Sequence, residues 1–256
     1  MKTIILTGAS SGIGRKTAEK LVQNGEKVIG IGRNTQKLQA AAVEWEAHPG
    51  EFIAWTMDVE IIEDAAEEMK KITAVHGKPD VLINNAGTGK FGELEQLSIK
   101  DWEQMINTNV KGNIAITQAL LPELKQAGGH IIFTGSTAGI IGTPKATVYA
   151  ASKRAVIGFA EALRLETAES GIRVSVLNTG PVKTDFHDRA DPSGRYKRSV
   201  EQLALAPEKV AGRLVQLVEQ PKRTVFMPRW MGMLSALYQL WPSAVEKVGR
   251  KQFYRK

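Results

Sequence analysis

The chain has 256 residues, 43% of them hydrophobic and 24% charged, enough apolar material for one large domain with a full core. It holds no cysteine, which excludes disulfides and thiolate metal sites, and its four histidines (His48, His76, His130, His187) form no HExxH pair, so no metal is expected. The net charge is +7, yet residues 229–256 carry six Lys or Arg against the single acid Glu246, or +5 of the total, which leaves +2 on the body and no case for a nucleic-acid partner.

The N-terminal run "MKTIILTGAS" has one lysine and a five-residue strand-like stretch, TIILT, too short for the apolar region of a signal peptide, and a cytoplasmic location is expected. Strand-like apolar runs follow at 3–7, 27–31, 51–56, 80–84, 130–135, 172–178 and 223–227, with room for a crossover helix between most of them. That alternation predicts an α/β chain: a single doubly wound, Rossmann-type parallel sheet of about seven strands with helices on both faces. Runs such as "VLIN" and "HIIFTG" suit strands buried on both sides. The spacings Ser98-x-x-Asp101 and Ser243-x-x-Glu246 predict helices that begin after Ser98 and Ser243. The stretch 185–206 is polar, contains Pro192 and Gly194, and is expected to be a mobile excursion from the sheet, a candidate substrate lid.

Directly after the first strand comes "TGASSGIG", 7–14. Gly8, Gly12 and Gly14 permit a tight turn, a close approach of backbone to phosphate, and close packing of the next helix. The helix N-terminus then offers free N–H groups to a pyrophosphate. Arg33 stands 19 residues after Gly14, at the tip of the second strand, where an NAD site usually carries an acid for the ribose 2′-hydroxyl. A planar guanidinium binds a 2′-phosphate instead, so Arg33 points to NADPH; the alternative is a solvated loop arginine.

"YAASK", 149–153, puts Tyr149 and Lys153 on one helix face, about 6 Å apart along the axis. A nearby ammonium favours the phenolate, so Lys153 is expected to bring the Tyr149 pKa down from near 10 toward neutrality. Ser136 ends a strand thirteen residues earlier, "NNAG" (84–87) ends the fourth strand, "NTNVKG" (107–112) lies inside the next helix, and "NTGPVKT" (178–184) follows the sixth strand.

Together these motifs resemble, in order and spacing, the short-chain dehydrogenase/reductase family in its form of about 250 residues, over residues 2–228. The resemblance implies an NADP(H) oxidoreductase acting on CH–OH/C=O groups, with Tyr149 as general acid, Lys153 as its tuner and a ribose contact, and Ser136 orienting the substrate carbonyl. Asn109 would hold a water in a proton relay, or serve as a helix-kinking structural residue, or both. For the cofactor it implies Gly8, Ser10, Ser11, Gly12, Ile13 and Gly14 at the pyrophosphate, with Arg33 and Asn34 at the adenosine end. Asp58 and Val59 would meet the adenine, Asn85, Ala86 and Gly87 the ribose, and Pro181, Val182 and Thr184 the nicotinamide side. Asn84 reads as structural. Thr179 stands where proline is common in the family, which puts the local turn geometry in doubt. The reaction expected is reduction of a lipophilic ketone or aldehyde by a homodimer or homotetramer. Two other functions remain: a reductase of the 3-oxoacyl-carrier-protein type, whose acidic carrier would suit the basic tail, and a non-catalytic cofactor-sensing protein.

Residues 1–228 form the expected catalytic domain and 229–256 a basic amphipathic helical extension. In "MGMLSALYQLW", 231–241, Gly232, Ser235 and Gln239 share one narrow stripe, large apolar residues fill the rest, and Pro242 ends the helix. Eleven residues cannot span a bilayer, which needs about 20. The apolar face is expected either on the substrate pocket or a second subunit, or as a peripheral contact with an anionic membrane.

Overall fold

A computed structural model describes the backbone of residues 1–253 and the side chains of residues 1–250, so the side chain of Lys251 and the residues Arg255 and Lys256 of the basic tail lie outside the described part. The seven strands are β1 (Thr3–Thr7), β2 (Lys27–Gly32), β3 (Glu51–Thr56), β4 (Val81–Asn84), β5 (His130–Ser136), β6 (Arg173–Thr179) and β7 (Thr224–Met227), each within a residue or two of its expected bounds. They form one parallel sheet in the order β3-β2-β1-β4-β5-β6-β7. The order reverses between β1 and β4, and the crevice at the C-terminal strand ends there is where such a sheet takes a ligand.

Side chains alternate across each strand and so build two cores. On one face Ile4, Leu6, Val28, Ile83 and Leu177 meet α1 (Gly12–Gln23), α2 (Thr35–Glu44) and α9 (Pro207–Glu219). On the other, Ile5, Ile29, Leu82, Phe133 and Val176 meet α3 (Ala65–His76), α5 (Gly112–Ala127) and α6 (Thr147–Glu166). The helices present the apolar spacing this demands: Ile116, Leu120 and Leu124 on α5, and Val156, Ala160 and Leu163 on α6, are buried.

Ser98 caps α4 (Ile99–Ile106) as its spacing predicts: its hydroxyl accepts from Asp101 N at 3.1 Å, and the Asp101 carboxylate accepts from Ser98 N at 3.1 Å. The expected cap at Ser243 does not form. The last described helix, α11 (Pro242–Phe253), starts two residues earlier than expected because Pro242 needs no N–H at the first helical position and brings a suitable φ. The 107–112 stretch lies inside the helical path, but Asn107–Lys111 winds as a single π turn joining α4 to α5. The excursion at 185–206 is ordered around two short helices, α7 (Phe186–Ala190) and α8 (Arg195–Val200). Its neck is closed by a bridge between Val182 and Leu205, with Leu205 N donating to Pro181 O and Lys183 N to Leu205 O.

In α10 (Trp230–Leu240) the small residues face inward. Gly232 packs against the Phe226 ring of β7 and Ser235 is buried, while Gln239 is exposed. The large apolar residues are therefore divided between the crevice and solvent instead of forming one buried face.

His130, at the start of β5, is buried with Nε2 2.8 Å from Ser175 Oγ and no partner on Nδ1. Burial, with Arg173 and Lys2 nearby, pushes its pKa down to about 3. The folded protein thus keeps this imidazole neutral where the unfolded chain protonates it, so its contribution is intact above about pH 6.5 and is lost as pH falls toward 3. Urea unfolding at about pH 7 and pH 5 should show the wild type losing about 1.5 kcal/mol more than His130→Gln over that interval. Equal losses would mean that this histidine is not held neutral.

Candidate active site

The crevice begins at the glycine turn. Gly8 and Gly12 sit at φ of +70° and +54°, where a side chain is strained. A Cβ on Gly14 would lie 2.1 Å from Gly8 O, so only a hydrogen lets α1 come down onto the turn. Ser11 is the N-cap residue of α1, its hydroxyl makes no capping bond, and the first turn carries no acid. Ser10 lies under Gly32 of β2, and Ile13 packs on the core below. The result is a cradle of backbone N–H groups at a helix N-terminus, a fit for an anionic phosphate.

Thr7, quoted in the glycine motif but given no role by sequence, anchors this cradle. Its hydroxyl accepts from Asn85 N at 3.0 Å and Ala86 N at 2.9 Å, while Asn85 Nδ2 donates to Thr7 O at 3.1 Å. The side chain of Asn85 is thus spent on joining β1 to β4, and only its remaining surface lines the crevice with Ala86 and Gly87. Asn84 is buried and donates to Thr117 Oγ1 at 2.9 Å, a structural tie as its position suggests.

At the adenosine end of such a cradle stands Arg33, with its side chain 59% exposed. It is not free: Nη1 lies 3.4 Å from Glu60 Oε2 and 3.7 Å from Asp58 Oδ2. Asp58 Oδ1 in turn accepts from Glu60 N at 3.0 Å, and Val59 between them is buried. Asn34 caps α2, its side chain accepting from Lys37 N at 2.8 Å, so its amide oxygen is already engaged. Glu60 had no signal in the sequence beyond its place two residues after Asp58.

At the other end, Ser136 closes β5 opposite Thr179 of β6. Thr179 is simply the last paired residue of its strand, so the absent proline leaves the sheet regular there. Gly180 then allows Met231 of α10 to approach, a Cβ at that position falling 2.8 Å from Met231 Sδ. Pro181 and Val182 line the crevice, and Thr184 stands against Gly12 across it.

Tyr149 and Lys153, on the first half of α6, face Ser136 as their spacing predicts. Ser136 is hydrogen-bonded to the Tyr149 hydroxyl. Lys153 is buried, donates from Nζ to Thr134 O at 3.0 Å, and lies 6.0 Å from the centroid of the Tyr149 ring. The expected acidification of Tyr149 does not occur here. Burial pushes its pKa up to about 12, against the smaller pull of Ser136, and burial brings Lys153 down to about 8. Each group is driven toward its neutral form by the loss of water around it, and the Lys153 ammonium is turned to a backbone carbonyl.

Asn109 sits in the π turn, buried, and away from the crevice wall. Its Oδ1 accepts from Thr88 N at 2.8 Å, and Nδ2 donates to Thr88 O and Ser152 Oγ, both at 2.9 Å. Both amide protons are therefore engaged in clamping the 88–89 loop and α6, which is the structural role of the two expected for it.

An aromatic roof covers Tyr149. Its ring centroid lies 5.6 Å from both Phe91 and Phe186; Phe91 reaches Tyr196 at 4.6 Å, and Tyr196 meets His187 at 5.2 Å. The excursion supplies three of these five rings. Backbone bonds hold it down, Phe91 N to Ala190 O at 2.8 Å among them. The whole crevice is a cavity of about 920 Å3 running from Arg33 to Met231 and Leu234 of α10.

A profile of the short chain dehydrogenase family matches residues 2–193. A 3-oxoacyl acyl-carrier-protein reductase of Thermotoga maritima is 33% identical over 215 residues, covering 82% of this chain and 87% of its own. Among solved structures, a serine dehydrogenase in its closed form with NADP+ superimposes with a TM-score of 0.80 at 31% identity, covering 88% of this chain and 93% of that one. A short chain dehydrogenase/reductase of Burkholderia phymatum with NAD superimposes with a TM-score of 0.84 over 93% of both chains, at 24% identity a likeness of fold alone. The chain therefore belongs to the short-chain dehydrogenase/reductase family and is an oxidoreductase.

Proposed function

We propose that this protein reduces a lipophilic ketone or aldehyde to an alcohol with NADPH. The observation that carries the proposal is the half-buried Tyr149 beside Ser136, under an apolar roof and at one end of a crevice that has a cradle of backbone N–H groups and a guanidinium at the other. When bound in that crevice, the reduced nicotinamide supplies the hydride. A substrate oxygen would sit between the hydroxyls of Ser136 and Tyr149, with Ser136 turning from Thr179 O to orient it and Tyr149 giving it a proton as charge builds. A phenol whose pKa is pushed up by burial keeps its proton at neutral pH, the form from which Tyr149 donates in reduction. Lys153 and the cradle hold the cofactor, with Thr184, Pro181 and Val182 closing its nicotinamide side. Phe91, Phe186, Met231 and Leu234 exclude water and favour an apolar substrate.

The assembly proposed is a homodimer or homotetramer, for which the exposed Ile99 and Trp102 of α4 and Ile114 of α5 offer apolar surface. A second function draws on the Thermotoga relative and the cationic tail: reduction of a 3-oxoacyl group on an acidic carrier. NADPH consumption against a panel of ketones, aldehydes and acyl thioesters separates the two.

Tyr149→Phe keeps the ring and removes the proton donor. Turnover should fall by about 10²–10⁴-fold while NADPH affinity changes less than about twofold. Full residual turnover would remove Tyr149 from the role, and an unaltered cellular function in a variant without turnover would favour cofactor sensing.

The depressed pKa of Lys153 gives a pH signature. An anionic cofactor favours the ammonium, so NADPH affinity should be full below about pH 8 and weaken several-fold by about pH 9.5. Fluorescence titration of Lys153→Met should give lower affinity with no such slope; a slope surviving in the variant would assign it elsewhere.

Arg33 must exchange its carboxylate partners for a 2′-phosphate. The exposed pair with Glu60 is worth at most about 1 kcal/mol, the new contact about 1.5–3. Arg33→Ala should therefore cost NADPH about tenfold or more and NADH little, while Glu60→Gln should tighten NADPH by up to about fivefold. Equal losses for both cofactors in Arg33→Ala would withdraw the NADPH preference.

A further inference from the structure

The C-terminal hairpin has two faces. One walls the crevice: Met231 and Leu234 of α10 and Val245 and Gly249 of α11 line it. The other carries large apolar side chains that the described residues leave largely uncovered. Met233 is 73% exposed, Leu240 68% and Trp241 60%, and Leu237 is exposed beside them. Positions 233, 237 and 240 fall on one stripe of α10, with Trp230 and Trp241 near its ends. Such a stripe on a surface helix inverts the usual arrangement, and an unpartnered apolar patch marks an interaction site.

The charge around the stripe selects the partner. Arg229, Lys247 and Arg250 are exposed there. The one acid of the segment, Glu246, already accepts from the Tyr238 hydroxyl at 2.8 Å. A twofold contact with a second copy would lay this patch against itself, cation on cation. An anionic lipid surface complements it instead, and tryptophans at the ends of an apolar stripe suit the headgroup boundary. At 11 residues α10 is about 16 Å long, half a hydrocarbon core, and no described helix is long and apolar enough to cross a membrane.

We propose that α10 and α11 dock in the plane of an anionic bilayer, sinking Met233, Leu237, Leu240 and Trp241 among the acyl chains and setting Arg229, Lys247 and Arg250 on the headgroups. The wall of the crevice then lies on the membrane. This docking does not depend on what the site reduces.

The test is co-sedimentation of the full-length protein with vesicles of phosphatidylcholine alone and with about 30 mol% phosphatidylglycerol, at about 50 and 500 mM NaCl. Binding is expected to the anionic vesicles at low salt, roughly tenfold weaker at high salt, and slight on the neutral ones. Met233→Glu/Leu240→Glu changes two solvent-exposed side chains outside the crevice, and should lose roughly tenfold or more in binding with unchanged thermal unfolding. Lys247→Glu/Arg250→Glu should weaken binding mainly at low salt. No binding of the wild type to anionic vesicles overturns the proposal, as does equal binding by Met233→Glu/Leu240→Glu. If that variant instead loses oligomer mass by light scattering and lipid binding is absent throughout, a second copy covers the stripe and the lipid proposal falls.

Discussion

One contact sets the spacing on which the crevice depends: α1 rests on the glycine turn with only the hydrogen of Gly14 between them, against Gly8 O. Any side chain there would push the helix N-terminus away from the strand ends and take the free N–H groups with it. From that contact the geometry passes along a continuous line. Gly8 follows Thr7; the Thr7 hydroxyl holds the N–H groups of Asn85 and Ala86; Gly87 leaves room for both Asn109 Oδ1 and Lys153 Nζ, which a Cβ would approach to 3.3 and 3.4 Å. Asn109 then clamps Thr88 on one side and α6 on the other through Ser152. The glycine turn and the Tyr149–Lys153 pair are thereby fixed relative to one another through backbone and short polar side chains.

Electrostatics at the reactive end is decided by burial. Two opposing effects act on Tyr149: loss of water, which raises its pKa, and a hydrogen bond from Ser136, which lowers it. Loss of water wins, and it decides Lys153 as well, since the bond from Nζ to Thr134 O serves both protonation states. At about 1.4 kcal/mol per pKa unit, a phenolate and an ammonium together would be costly here at rest. The chain thus holds a proton on the tyrosine and a cation that is easily surrendered on the lysine, a state poised to donate.

What sequence made legible is what short-range chemistry dictates. The strand runs, the glycine turn, Ser98 with Asp101, and the Tyr149–Lys153 spacing each depend on residues a few positions apart, and each is found in place. What it missed arises from pairings across the fold. The aromatic roof joins Phe91 to Phe186 and Tyr196, residues about a hundred positions away that look unremarkable within polar loops. Arg33 looks like a free guanidinium until β2 and the loop after β3 bring Glu60 to it. Asn109 looks available until the π turn aims it at Thr88. At Ser243 two local signals competed, and Pro242 set the helix start. In α10 the small residues Gly232 and Ser235 faced inward because Phe226 already occupied the space a larger side chain would need.

The same division runs through the crevice itself. The half at the glycine turn is made by strand ends and the helices that follow them, so its shape is set by the sheet. The half at Tyr149 is roofed by segments that leave the sheet: the excursion closed at Val182–Leu205, and the hairpin beyond β7. The excursion is held to the body by backbone bonds and ring contacts, whereas the hairpin leans on it through Gly232, Ser235 and Met231 and keeps Met233, Leu240 and Trp241 outside. A wall with that distribution is stabilised only in part by the rest of the chain. Its exposed apolar side chains gain burial when something external covers them, and under the proposed docking the bilayer that does so is also the environment of whatever enters beside Met231 and Leu234. Coupling of that kind links the character of the substrate to the place where the protein sits, through one eleven-residue helix shared by both.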